Sequence, residues 1–354
     1  GSDKKAVSNY LPLATTEGAL VASVNRGCKA LSLSTVRTES ELIGVTRSLA
    51  FKTKHPKELM EKIKETEATW KPLAEATSKH LKILSFEVEE SSPYVFLTIA
   101  GDTDEAMGMN MITIAAEAVG TWVSENFECE FVTVAGNVDS DKKPSLRTYE
   151  NGRGIEAVAT ADIPEKVLAD VLKTDSETML LVADAKLTHG SQLAQAIGSN
   201  LHAANVIAAI YLATGQDAAH VVEGSLTDTL VEKTDDGIRI TCRCPALMVG
   251  VRGGGTELPA QKQCLNLILK NRSSLHPRLQ LAETIAAAVL AGEVSLLAAQ
   301  AGHELGKELV QEKETEVTKE SNDGKFPRFR WLPWIPWFLS PLPLTEKILY
   351  TLSP

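Results

Sequence analysis

The sequence predicts an α+β chain, α-rich in its larger part: a helical domain around one central buried helix, with a small α/β domain inserted into it. Three observations carry this. Residues 191–215, SQLAQAIGSNLHAANVIAAIYLATG, are apolar on most faces, as a buried central helix requires. Residues 278–313 are again alanine-rich and predict one or two more helices, with Gly292 as a break. Between residues 56 and 134 the hydrophobic period switches from helical to alternating and back, in the order α-β-β-α-β.

Within that segment, residues 56–79 predict an amphipathic helix, because Leu59, Ile63, Thr66 and Trp70 recur about one turn apart. KILSFEVEE and YVFLTIAG alternate apolar and polar residues around SSP and predict a hairpin. Residues 105–126 predict a second helix and CEFVTVAG a third strand. An antiparallel sheet with two helices on one face follows, a ferredoxin-like small domain at 53–134 inserted into a larger domain of 1–52 and 135–314. The composition then changes. ETEVTKESNDGKF is a polar linker, and PRFRWLPWIPWFLSPLPLTEKILYTLSP holds three of the five tryptophans and six of the fifteen prolines. Proline at that density prevents a helix, so 315–354 predicts a loosely packed tail. Membrane contact, if any, is expected only through its aromatic residues.

A net charge of −10 and a pI of about 5.3 argue against a nucleic-acid partner. Five scattered cysteines (Cys28, Cys129, Cys242, Cys244 and Cys264) do not make a disulfide framework, and a reducing, cytoplasmic compartment is expected. Cys242 and Cys244 share one face of a strand-like run and predict core packing, not a metal site. No signal peptide and no membrane span are expected.

Four local patterns point to chemistry. Glu17 opens an apolar helix behind Thr15 and Thr16, a place where a carboxylate ordinarily meets the helix dipole. EAMGMNM (105–111) opens a helix with small, flexible residues that suit close approach of a nucleotide. Asp217 in GQDAAH stands where a cap for the next element is expected. RGGGTEL (252–258) is a loop that either cradles phosphate or turns the chain. A fifth stretch, VAGNVDSDKKPS, sets Lys142 and Lys143 among aspartates in a loop after a strand, ordinarily solvated surface.

Taken in order, TTEGALVASVNRGCKA, EAMGMNM, GNVDSDKKP, HAAN, GQDAA and GGGT resemble the catalytic domain of the 3-hydroxy-3-methylglutaryl-CoA reductase family, from about residue 12 to 310 and nearer the eukaryotic class. The resemblance implies two hydride transfers from NADPH to a CoA thioester, in a site between two subunits of a homodimer. It implies that Lys142 polarises the carbonyl oxygen, that Glu17 supplies the proton with its pKa raised by burial, and that Asp217 joins the two. Lys186, His202, Asn205 and Asn137 match substrate-pocket positions. Glu105, Met107, Gly108, Met109 and Asn110, with Gly253 and Gly254, match the cofactor side. Ser78 and Lys79 match the 2′-phosphate contact, which favours NADPH over NADH.

The sequence also departs from the family. Glu308 stands where the family has the histidine that protonates the departing thiolate. Ala135 replaces a serine, and Lys52 replaces an arginine with a bidentate grip on carboxylate. The family's ENVIG element, membrane anchor and phosphorylatable C-terminal serine are expected to be missing. These departures keep two alternatives open: a repurposed scaffold for a non-reductive carbonyl reaction, and a non-catalytic homologue.

Overall fold

The computed structural model describes residues 7–270, 274–302 and 348–350. The short strand β1 (Val7–Asn9) pairs with β9 (Ile348–Tyr350). Helix α1 (Gly18–Ser32) then leads into β2 (Thr35–Lys52), an 18-residue strand that organises everything else. Helices α2 (Pro56–Glu65) and α3 (Glu67–Glu75), the hairpin β3 (Lys82–Ser91) and β4 (Tyr94–Asp102), α4 (Met109–Asn126) and β5 (Glu130–Thr133) follow. After α5 (Leu146–Asn151) and β6 (Gly154–Pro164) come α6 (Glu165–Val167), α7 (Ser176–Ala183), α8 (Ser191–Ala194), α9 (Ala203–Thr214) and α10 (Val221–Gly224). Strands β7 (Asp228–Thr234) and β8 (Gly237–Leu247) and helices α11 (Pro259–Leu269) and α12 (Pro277–Ala301) complete the fold.

One seven-stranded antiparallel sheet runs β3-β4-β2-β6-β8-β7, with β5 also on β2. Residues Thr35–Gly44 of β2 pair with β6, and Val45–Lys52 pair with β4. The register slips between Leu42 and Gly44, where Gly44 has a φ of 103°. Two hydrophobic clusters flank this switch. The larger gathers α1, α9, α12 and the inner faces of β6 and β8. The smaller packs Leu59, Ile63, Trp70, Ile112, Ala116 and Val119 on the β2–β4 surface. Each fully buried leucine, isoleucine or phenylalanine there stabilises the fold by about 1.5–3 kcal/mol.

The larger part is thus mixed α/β, not helical alone. Strand β2 escapes a pattern search because its inward face is partly polar. Thr38 and Ser40 donate to the two carboxylate oxygens of buried Glu283 at 2.6 and 2.9 Å. The helix expected over 56–79 is two helices. The Thr66 hydroxyl donates to the Lys62 carbonyl (2.6 Å) and the Trp70 indole to that of Ile63 (2.9 Å), so the break at Thr66 leaves neither carbonyl bare. The second helix begins at Met109, later than 105, because Gly108 holds a φ of 95° with Thr103 where a Cβ would lie. The helix expected over 191–215 is split into α8 at 191–194 and α9 at 203–214. Gln195 and Gly198 interrupt it with φ of 53° and 83°. The cap of α9 comes from far away, since Glu293 accepts the Leu201 and His202 N–H groups at 2.7 and 2.9 Å.

Helix α12 is continuous through Gly292, which is a close-packing position: a Cβ there would lie 2.8 Å from His202 Nε2. This helix has the length and composition of a membrane span, and 94% of its apolar window is buried inside the fold. Cys242 and Cys244 are fully buried, as expected of core residues. Residues 303–347 and 351–354, and so nearly all of the predicted tail, lie outside the described residues.

Candidate active site

The loop between β5 and α5 carries Lys142. Three of its non-glycine residues, Asn137, Ser140 and Lys142, take left-handed φ of 66°, 55° and 57°. Each such residue costs about 1–2 kcal/mol, so the loop needs fixing from outside. Two arginines fix it. Arg47 on β2 pairs with Asp139 (3.4 Å) and Asp141 (3.7 Å). Arg153, fully buried at the start of β6, pairs through Nη1 with Asp141 (3.0 Å) and Glu223 (2.8 Å), while its Nε donates to the Thr46 hydroxyl (2.8 Å). Burial pushes the Asp139 carboxyl up despite both guanidinium groups.

Held in this way, Lys142 sets Nζ 2.7 Å from Asp217 Oδ2, the closest contact between two sequence-predicted site residues. The hydrogen bond to Asp217 holds the Lys142 pKa above its ordinary 10.5, against some desolvation. Burial alone would raise the Asp217 carboxyl, but Lys142, the Ala219 N–H and His220 outweigh it and bring it below 3.8. Both shifts favour the charged pair. Asp217 is also the expected cap: its Oδ1 accepts the Ala219 N–H at 3.0 Å. Behind the pair lie His220 and Glu223, both fully buried. His220 Nδ1 is 2.7 Å from Glu223 Oε1, and His220 Nε2 is 3.7 Å from Asp217 Oδ2. Among the described residues, Asp141, His220 and Glu223 are close enough together to hold a metal ion. Arg153 Nη1 already bonds two of the three, so a guanidinium cation fills that position.

Glu17 begins α1 without capping it by its side chain. Its Oε2 accepts from Asn205 Nδ2 at 3.3 Å. Within this chain Glu17 is exposed, so the burial expected of it is not supplied by its own neighbours. Asn205 opens α9 and Asp217 follows its end. Among the described residues no bond joins Glu17 to Lys142 or Asp217.

On the other side, His80 Nδ1 lies 2.8 Å from Asp104, which draws the turn bearing Ser78 and Lys79 beside the 104–108 loop. Glu105 pairs with Arg252, and its carbonyl accepts the Val251 N–H at 2.8 Å, bringing Gly253 and Gly254 to the same edge. A Cβ on either glycine would meet nothing within 4 Å, so the backbone there is open to a ligand. Asn110 and Lys79 are exposed and Met107 is half-buried. Met109 is buried, its sulfur accepting from Arg153 Nη2 at 3.3 Å.

The remaining residues scatter. Lys52 is exposed at the end of β2, five residues beyond Arg47 and about 17 Å along the strand. Ala135 and Asn137 are exposed on the lysine loop. Lys186 donates to Gln300 at 3.1 Å. His202 turns Nε2 inward to α12, where it is buried with no partner among the described residues. Glu308 lies outside the described residues. Missed in the sequence were Arg47, Arg153, His220 and Glu223. Only the last two left a local signal, an i,i+3 spacing that puts both on one face of a helical turn.

A model of the family described as hydroxymethylglutaryl-coenzyme A reductase matches residues 3–308. The chain belongs to this family. It is 41% identical over 310 residues to the 3-hydroxy-3-methylglutaryl-coenzyme A reductase of Methanocaldococcus jannaschii, covering 84% of this chain and 76% of that one. The Halobacterium salinarum reductase is 40% identical, with 84% and 75% covered. The Drosophila melanogaster reductase is 36% identical, with 84% of this chain and 34% of that one. Among solved structures, the class II reductase of Streptococcus pneumoniae, bound to NADPH in open conformations, superposes with a TM-score of 0.63. It is 19% identical over 84% of both chains, so this likeness is one of fold.

Proposed function

We propose that this member of the hydroxymethylglutaryl-coenzyme A reductase family reduces an acyl thioester or aldehyde carbonyl with NADPH. The observation that carries the reading is the 2.7 Å pair of Lys142 and Asp217 on a loop held by Arg47 and the buried Arg153. Asp217 keeps Lys142 an ammonium, and that cation faces the oxygen that gains charge in each reduction. A fixed donor of this kind is worth roughly 3 kcal/mol. Glu17, aligned by Asn205, supplies the proton to the alkoxide. Bound NADPH would supply the hydride. The open Gly253–Gly254 backbone, the N-terminus of α4 and the Lys79 ammonium suit its phosphates. We assign that role to a ferredoxin-like small domain spanning 53–134, whose β4 and β5 pair with the second half of β2, with 1–52 and 135–314 as the substrate domain.

We further propose a homodimer that completes the site from two copies, since Glu17, exposed in one chain, is open to covering by a second. Glu308 is a carboxylate where the family protonates a departing thiolate, so thioester cleavage should be slower than aldehyde reduction. NADPH oxidation with mevaldehyde and with HMG-CoA tests both points. The expected outcome is turnover of both, with mevaldehyde faster. No cofactor oxidation with either would overturn the reading, and equal rates would remove the role given to position 308.

A further inference from the structure

We infer that His220 and Glu223 are positioning residues that lock Lys142 and Asp217 into one unit. Glu223 Oε1 is the point of convergence. It accepts from Arg153 Nη1 at 2.8 Å, lies 2.7 Å from His220 Nδ1, and accepts the Lys142 backbone N–H at 3.3 Å. One oxygen therefore grips the backbone of the lysine directly and, through His220, the turn that carries Asp217. Arg153 Nη1 ties the same two segments a second time, through Asp141 at 3.0 Å and Glu223 at 2.8 Å.

The arrangement has a cost that a purely space-filling role would not explain. Both side chains are fully buried, and His220 Nε2 and Glu223 Oε2 have no hydrogen-bond partner among the described residues. Each orphaned buried polar atom is destabilising, because its lost hydration is not replaced. An apolar pair of the same size would avoid that, but it would leave Arg153 one carboxylate short and the Lys142 N–H unheld. Lys142 itself sits at a left-handed φ of 57°, which its neighbours must enforce. The groups facing His220 are Asp217, Asp141 and Glu223 on the acidic side, with Arg153, which shares Glu223 and Asp141 with it, on the basic side. A side chain that donates to Glu223 from this position fixes the direction of Asp217, and Asp217 fixes Lys142 Nζ.

The inference rests on the reductase reading only for its kinetic readout, so the test has two arms. His220→Leu keeps the volume and removes the donor. His220→Asn places an amide nitrogen the same number of bonds from Cα as imidazole Nδ1 and should restore the bond to Glu223. In the first arm, the full chain is labelled with acetic anhydride, and the ratio of modified Lys142 to Lys143 is read by mass spectrometry. His220→Leu should raise that ratio about threefold or more, because Lys142 loses its fixed acceptor, and His220→Asn should return it to the parent value. In the second arm, His220→Leu should lower kcat about tenfold with KM for NADPH unchanged, and His220→Asn should recover most of it. If His220→Leu does not fold, Glu223→Gln carries the same expectation in both arms. Unchanged labelling and unchanged kcat in the folded variants would overturn the inference. A protein that oxidises no NADPH but shows the labelling pattern would overturn the reductase reading and leave the positioning role in place.

Discussion

Lys142 and Glu17 each meet one polar partner from a distant part of the chain, yet they stand on different foundations. Lys142 rises from a loop pinned by Arg47, Arg153 and Glu223, and its ammonium is 2.7 Å from Asp217. Both side chains are exposed, but Glu17 sits at the open start of α1 and its contact to Asn205 is a longer 3.3 Å. The difference suits the roles proposed for the two groups. A cation that stabilises developing charge must be in place beforehand, because moving it during the reaction would consume the stabilisation it offers. A carboxyl that delivers a proton has to recover one from solvent afterwards, and exposure serves that.

The largest effect expected from breaking this contrast is on stability, at the buried side only. Arg153→Met leaves Glu223 and Asp141 without their cation, and removing one partner of such a buried pair destabilises by about 3–5 kcal/mol in urea unfolding. Glu17→Gln should leave the same unfolding curve unmoved. Next comes chemistry. Lys142→Met should lower kcat by about 10²–10³ with a melting temperature close to the parent's. Glu17→Gln should lower kcat by about 10², with KM for the carbonyl substrate little changed. Equal stability losses at both positions would show that the two foundations are alike after all.

Acidity sharpens the contrast more gently. The folded-state pKa of Asp217 is depressed below 3.8, so its stabilising effect is fully present above that value and is lost as pH falls through the lower one. That of Lys142 is raised above 10.5, so its effect is complete below 10.5 and is lost only as pH rises through the higher value. The stability difference between the parent and Asp217→Asn should therefore stay flat from about pH 5 to 9 and shrink in stronger acid. The smallest signal belongs to the core. Burial pushes Cys28 and Cys244 up to about 12 and Cys242 well above its ordinary value. Thiol reagents should reach Cys129 and Cys264 first and those three only after unfolding.

How much of this could be read beforehand depended on how local each signal was. Glu17, Lys142 and Asp217 stand inside short motifs, and the structure brings Lys142 to Asp217. The hairpin β3–β4 was legible because its two strands alternate around a short turn, which the structure confines to Ser92 and Pro93. What holds the site was not legible, since Arg153 reaches Glu223 across 70 residues and Thr46 across 107. The start of α9 was misread for the same reason: its capping carboxylate, Glu293, belongs to another helix. The first half of β2 was hidden because buried Thr38 and half-buried Ser40 face inward as partners of a carboxylate, not as an apolar stripe.

Strand β2 has a further consequence for anyone who would take the molecule apart. Its Val45–Lys52 half is flanked by β4 along its length and by β5 at its end, and its other half belongs to the larger core. Cutting out residues 53–134 would strip both neighbours from that half and leave a bare ladder, an invitation to pair with another chain. Grafting the same segment elsewhere would need β2 to travel with it, and Arg47 and Thr46 would leave with the strand. The small unit is thus not a cassette: its first strand is also the scaffold on which the lysine loop hangs.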